Sequence, residues 1–187
     1  MKLTVSKRDL NKKSVTNQLR RKGNIPAVLY SKGNIGEAIF IEGHEFKKHL
    51  SQIEKGHLST TVFSLTDSEG KARKALIKDI QYHVTTYDVL HLDFEELHDD
   101  KTVNVKIPIE FTSVADCVGI KLGGVLRHVI RFLRVNCLPN KIPKSFQLDV
   151  KSLKMKETKR LRDITLPDGV KALATNMDEV VVLIAKR

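Results

Sequence analysis

The sequence predicts a mainly β, α+β fold: a small N-terminal β-barrel carrying two helices, followed by a β-rich C-terminal domain. Three observations carry that prediction. Short alternating apolar runs recur along the whole chain with turn residues between them, the pattern of strands joined by hairpins. Two stretches in the first third instead repeat at helical spacing. The chain has 187 residues and 41% hydrophobic content, enough for one large or two small packed domains. The polar, acidic stretch Glu95–Asp100 is the expected boundary, so the expected domains are 1–95 and 101–187.

Leu3 and Val5 alternate with Thr4 and Ser6 as a short opening strand. Ser14 is a plausible N-cap for a helix over Val15–Lys22 that ends at Gly23. Val15 and Leu19 share its buried side, while Asn17, Arg20 and Arg21 fall on its exposed side. Asn24-Ile25-Pro26 breaks the helix and Ala27–Tyr30 is a strand, followed by a turn over Ser31–Asn34. Tyr30 fits either an ordinary half-buried strand position or a ring and hydroxyl presented beside the basic arm. Glu37–Glu42 is a strand, and residues 44–54 form a helix with Phe46, Leu50 and Ile53 at i, i+4, i+7. Thr60–Thr66 and Lys71–Gln81 form a hairpin turning at Asp67–Gly70. In its second arm Ala75 and Ile77 share one parity and Ile80 the other, which a bulge near Asp79 reconciles. Val89–Phe94 alternates strictly. Leu90, Leu92 and Phe94 point to the core, and His91 and Asp93 lie on the other face, roughly 7 Å apart by strand rise.

In the second domain Val103–Phe111 alternates, with Pro108 favouring an edge or an early-paired end. Gly119 and Gly123-Gly124 read as turns. Leu126–Leu138 reads as a strand by its β-branched and aromatic content. Phe146–Val150, Lys159–Ile164 and Val180–Ala185 complete the unit. The last run is continuously aliphatic, so it must be central or covered.

Net charge is +11, with a pI near 9.7. It is uneven: residues 1–50 hold 11 Lys/Arg against 4 Asp/Glu, residues 51–100 hold 5 against 10, and residues 101–187 hold 17 against 8. Such an excess points to a polyanionic partner, nucleic acid before membrane; the alternative is a solubilising surface. Eight Lys/Arg against one acid in the first 22 residues suit a phosphate-binding arm. Interaction of Arg20, Arg21 and Lys22 with the helix C-terminal dipole explains their place, but not Lys12 and Lys13 ahead of the helix. The six Lys/Arg of Lys151–Arg162 read as a solvated face or a second anionic contact.

No apolar signal segment opens the chain, and no run reaches the ~20 residues a membrane span needs. Cys117 and Cys137 form no CxxC pair and read as buried, reduced thiols, which fits a cytoplasmic protein. There is no Walker loop, dinucleotide fingerprint or nucleophile elbow. The histidines are scattered, so neither cofactor nor metal is expected. His91 with Asp93 lacks a third ligand, which leaves a metal-dependent hydrolase as the formal enzyme alternative to a non-enzyme.

Asn24–Gly33 (NIPAVLYSKG), Leu76–His83 (LIKDIQYH) and Val89–Phe94 (VLHLDF) resemble, in order and spacing, three motifs of one family. Gly119–Leu126 and Cys137–Pro143 follow it too. The family is the bacterial large-subunit ribosomal protein number twenty-five, in its long two-domain form known as CTC or general stress protein. Departures from its pattern fall at Asn17, Gln18, Ser31, Val84 and Lys156. The resemblance implies an N-terminal barrel that binds 5S rRNA around loop E in the large ribosomal subunit, and a mostly β C-terminal domain that meets neighbouring ribosomal proteins or more rRNA. It implies RNA contacts at Arg8, Lys13, Arg20, Tyr30, Lys78, His91 and Asp93. The basic members suit phosphates, and Tyr30, His91 and Asp93 suit sugar or base edges. An RNA-binding stress factor acting off the ribosome is the runner-up.

Overall fold

The computed structural model describes residues 1–8, 13–31, 36–67 and 70–186, with the backbone alone for Lys13. The turns expected at 31–34 and 67–70, and Lys12, fall partly or wholly outside these residues. Two compact units divide the chain, Met1–Lys101 and Thr102–Arg187.

The first unit contains β1 (Lys2–Lys7), α1 (Lys13–Arg21), β2 (Asn24–Tyr30), β3 (Glu37–Glu42), α2 (Gly43–Gln52), β4 (Val62–Asp67), β5 (Ala72–Tyr82) and β6 (Val89–Glu96). Its six strands close into a barrel in the order β1-β3-β2-β6-β5-β4. The β1–β4 and β2–β6 ladders are parallel and the rest antiparallel. Closure leaves no strand edge open. Strand parity fills the interior: Leu3, Val5, Ile39, Ile41, Phe63, Leu65, Ala75, Ile77, Leu92 and Phe94 are all buried. Phe63 and Phe94 meet edge to face at 6.3 Å. Phe46 of α2 is fully buried in this core, with Leu50 and Ile53 packed against it; the helix ends at Gln52, two residues short of the expected end, so Ile53 reaches the core from the extended segment that follows.

Helix α1 half-buries Val15 and Leu19 and exposes Asn17, Arg20 and Arg21. It stops at Gly23, whose φ of +81° only glycine adopts without strain, and the Gly23 N–H closes on the Arg20 carbonyl at 3.0 Å. The helix begins at Lys13, so Ser14 is its second residue and not the N-cap expected. β2 begins at Asn24 rather than Ala27, because Asn24, Ile25 and Pro26 already pair with β3. Leu58–Thr60 forms a single 3-10 turn, and β4 starts only at Val62.

Two bulges shape β5 and β6. The expected one is present: Ile77 pairs with Phe94 and Asp79 with Asp93, which leaves Lys78 as the extra residue. A second corrects the strict alternation of β6. Gln81 pairs with His91 and Tyr82 with Val89, so Leu90 is the extra residue. Val89 packs on the barrel core in place of Leu90, which is only half-buried. β6 also runs on through Glu96, and Glu95, expected in a polar boundary loop, is a buried strand residue.

The second unit contains β7 (Val103–Thr112), α3 (Val118–Lys121), β8 (Gly124–His128), β9 (Phe132–Cys137), β10 (Phe146–Asp149), β11 (Thr158–Arg160), β12 (Lys171–Ala172) and β13 (Val180–Lys186). They form a four-stranded sheet, β10-β7-β9-β12, and a three-stranded sheet, β11-β13-β8. β13 is central, as its aliphatic run demands, with Val181, Val182 and Ile184 buried. Cys117 and Cys137 are buried free thiols.

Three expectations fail here. Gly119 lies within α3, not in a turn. Lys159–Ile164 is one short strand followed by a 3-10 turn over Leu161–Asp163. Leu126–Leu138 is two strands in different sheets. The chain crosses between them at Val129–Arg131: the N–H groups of Val129 and Ile130 reach the Val181 carbonyl at 2.9 and 3.2 Å, and the Arg131 carbonyl then accepts from Ile109 at 2.9 Å. Hydrogen bonding carries the crossing without glycine or proline, so no sequence signal marks it.

Candidate nucleic-acid interface

The wall formed by β2, β6 and β5 places polar side chains in rows. Val28, Asp93 and Asp79 stand side by side, Tyr30 stands beside Glu95, and His91 beside Gln81. Along β6 the His91 and Asp93 side chains close the gap left by strand rise, and His91 Nδ1 lies 2.7 Å from Asp93 Oδ1. Lys78, projecting from the bulge, brings its Nζ to 2.5 Å from Glu95 Oε2. Neither pair is aligned as a directed hydrogen bond: Lys78 and Glu95 meet as opposite charges, and the His91 ring lies against the Asp93 carboxylate. The Asp93 carboxylate keeps about a third of its surface open, while His91 is largely covered.

Tyr30 feels this wall. Burial raises its phenol above the ordinary tyrosine value, and the charges of Glu95, Asp93 and Asp79 add to the effect. Both effects favour the protonated hydroxyl.

Helix α1 and the residue that follows β1 supply the cations. Arg20 donates from Nε and Nη2 to the Leu90 carbonyl, at 3.2 and 3.1 Å. The bulge at Leu90 and this two-pronged clamp fix the guanidinium against β6, on the carbonyl of the residue before His91. Arg8 donates from Nε to the Ile39 carbonyl at 3.1 Å and from Nη1 to Thr16 Oγ1 at 3.4 Å. Its acidity is raised first by burial and then by the charge of Arg20. Two guanidinium groups that repel one another make a seat for an anion. A groove beside them is lined by Arg20, Lys22, His44, Lys47 and His83, with Lys47 held by Asp88 at 2.9 Å.

Of the residues expected to touch RNA, Arg8, Arg20, Tyr30, Lys78, His91 and Asp93 form a series from the end of β1 and α1 across β6 to β2 and β5. The Lys13 side chain lies outside the described residues. Sequence reasoning missed Asp79, Gln81 and Glu95 as members of the wall, and the Leu90 carbonyl as the anchor of Arg20. Asp79 and Gln81 lie inside the Leu76–His83 motif, and counting parity onward from the bulge would have put both on the outer face. Among the described residues no set of three convergent metal-ligand atoms includes His91 or Asp93, and no helix is long and apolar enough to cross a membrane.

Residues 3–94 match the Ribosomal L25p family, and residues 102–187 match the C-terminal domain of ribosomal protein TL5. Large ribosomal subunit protein bL25 of Chlamydia muridarum (strain MoPn / Nigg) is 51% identical over 187 residues, covering 100% of both chains. The proteins of the same name from Chlamydia trachomatis serovar A and Chlamydia pneumoniae are 50% and 48% identical over the same full length.

Proposed function

Because the chain belongs to the Ribosomal L25p family, in the two-domain form that carries a TL5 C-terminal domain, we propose that its barrel clamps 5S rRNA around loop E. The coarser statement needs no proposal: the chain is a structural protein of the bacterial large ribosomal subunit, working in the cytoplasm as part of the ribosome and not as an enzyme.

The observation that carries the finer reading is the series running from Arg8 and Arg20 through His91 and Asp93 to Tyr30. Arg8, Arg20 and Lys13 take phosphates and supply most of the affinity. Arg20 is already oriented by Leu90, so little freedom is lost when it binds. Tyr30 donates to a ribose or base acceptor. Asp93, whose carboxylate is partly open, accepts from a base amino group or a 2′-hydroxyl, and its charge holds the His91 ring in place. Lys78 offsets the buried charge of Glu95 and sits within reach of a backbone that follows β5. The wall combines cations at one end with carboxylates in the middle. A surface made only for phosphates would have no use for the carboxylates; a surface that reads base edges does.

The test compares binding of the full-length chain to 5S rRNA and to an unrelated RNA of equal length. Strong preference for 5S rRNA is expected, with a hydroxyl-radical footprint on loop E. Log affinity should fall by roughly 0.7–0.9 per phosphate contact for each log unit of salt. Equal affinity for the two RNAs overturns the reading.

A further inference from the structure

We infer that the outward face of the four-stranded sheet in the second unit is a separate RNA-binding surface, which takes a phosphate backbone on Lys106, Arg134 and Lys171 and stacks a base on Phe132. The strand register fixes which residues stand there. Val103, Val105, Ile107, Leu133, Val135 and Cys137 are buried, so the residues alternating with them point the other way. Lys171 stands beside Asn136, and Asn136 beside Asn104. Arg134 stands beside Lys106, and Phe132 beside Pro108. Lys106, Arg134, Lys171 and Phe132 are all exposed, Phe132 to 43%.

The arrangement does little for the sheet itself. Like charges directly opposite one another weaken a strand pair, yet Lys106 and Arg134 are such a pair. Phe132, the first residue of β9, leaves its ring exposed at the end of the sheet and so loses the burial that would make it useful to the fold. Among the described outward residues of β9, of β12 and of β7 from Asn104 to Lys106 there is no carboxylate; Glu110 and Asp149, on the same side, lie toward the β10 end of the sheet, where Ser145 donates to Glu110. Each of these features suits RNA. Lys106 and Arg134 stand about 5 Å apart on adjacent strands, and Lys171 lies diagonally across from Arg134, about 7–8 Å away, a spacing that suits successive phosphates of one backbone. Phe132 and Arg134 lie on the same side of β9 as a stacking ring next to a planar cation. The Asn136 amide donates to Asn104 Oδ1 at 2.7 Å, so the Asn pair still presents a donor and an acceptor to a base edge or a 2′-hydroxyl. The excess of 17 Lys/Arg over 8 Asp/Glu in residues 101–187 favours a polyanion over an acidic protein segment.

Two experiments on the full-length chain test this. In the first, Phe132 is replaced by p-benzoylphenylalanine, which keeps all three cations, and assembled large subunits are irradiated. An rRNA adduct is expected; an adduct to protein alone, or none, overturns the inference. In the second, Lys106→Gln, Arg134→Gln and Lys171→Gln are combined. The variant should leave the large subunit at lower salt, with the salt slope of its attachment reduced by about three. Its affinity for isolated 5S rRNA should stay within about twofold of the parent. Unchanged attachment, or 5S affinity that falls in step with it, overturns the inference. If instead the unsubstituted chain shows no preference for 5S rRNA, the reading of the barrel fails, and the crosslink still decides this surface.

Discussion

Arg20 has two jobs in the site, and two substitutions separate them. Its guanidinium bonds twice to the Leu90 carbonyl and carries a positive charge beside Arg8. Arg20→Ala should weaken 5S rRNA binding and lower the salt slope by about one. Arg20→Lys should keep the slope and still weaken binding, because an ammonium cannot make the planar two-pronged contact. Filter binding over a salt titration measures both. Asp93→Ala should weaken binding with the slope nearly unchanged, since a carboxylate releases no condensed counterion. The same substitution removes one of two carboxylates facing each other across β5 and β6, so folding stability should stay within about 0.5 kcal/mol of the parent. Tyr30 gives a pH prediction. Its folded-state pKa is raised, by burial first and by Glu95, Asp93 and Asp79 after it. The stability this contributes is fully present below the pKa of an unfolded tyrosine and is lost as pH rises through the folded value. With Tyr82 and Tyr87 changed to Phe, phenolate absorbance should appear at higher pH than in a free tyrosine peptide. Asp93→Asn should move it partway back; a coincident titration would refute the assignment of those charges.

At the scale of elements, a tight approach between two turns holds the helices to the barrel. The Gly43 N–H donates to the Gly23 carbonyl at 3.1 Å, and a Cβ on Gly43 would lie 2.3 Å from that same oxygen. Neither backbone can give way without moving the end of α1 or the start of α2. Gly43→Ala should therefore cost about 1–3 kcal/mol, read as a lower urea midpoint at constant slope. Because α1 carries Arg20, binding of 5S rRNA should weaken as well. The two bulges act at this scale too. One turns Lys78 toward Glu95, and the other turns the Leu90 carbonyl toward Arg20. In each case one extra residue in a strand re-aims a group that the site uses.

At the scale of the molecule, the barrel has its own closed core, built entirely from residues before the division at Lys101. Residues 1–101 produced alone should therefore unfold in one cooperative step and keep both the 5S rRNA affinity and the salt slope of the full chain. Loss of 5S binding in that fragment would mean that residues 102–187 contribute to the barrel's site. The net charge of +11 favours long-range attraction to a polyanion, and under the proposed reading the acidic wall around Asp93 is what would make that attraction selective.

Sequence alone determined the parts that depend on local chemistry. Period-two alternation named most of the barrel interior, from Leu3 and Val5 to Leu92 and Phe94, because a strand can bury only one of its faces. Helical spacing put Phe46 and Leu50 on one side of α2. The broken parity at Ile80 required a bulge, and one is there. The ordered motifs around Tyr30, Lys78 and His91 identified the family. Tertiary structure alone decided the rest. Leu90 looked like a core residue until pairing with β5 left it over and handed its carbonyl to Arg20, 70 residues away in sequence. Glu95 looked like part of a polar linker until parallel pairing with β2 drew it into the wall beside Tyr30. The split of Leu126–Leu138 hangs on hydrogen bonds to Val181 and Ile109. Each of these depends on which strand lies alongside, and the pattern of a single strand carries no record of its neighbour.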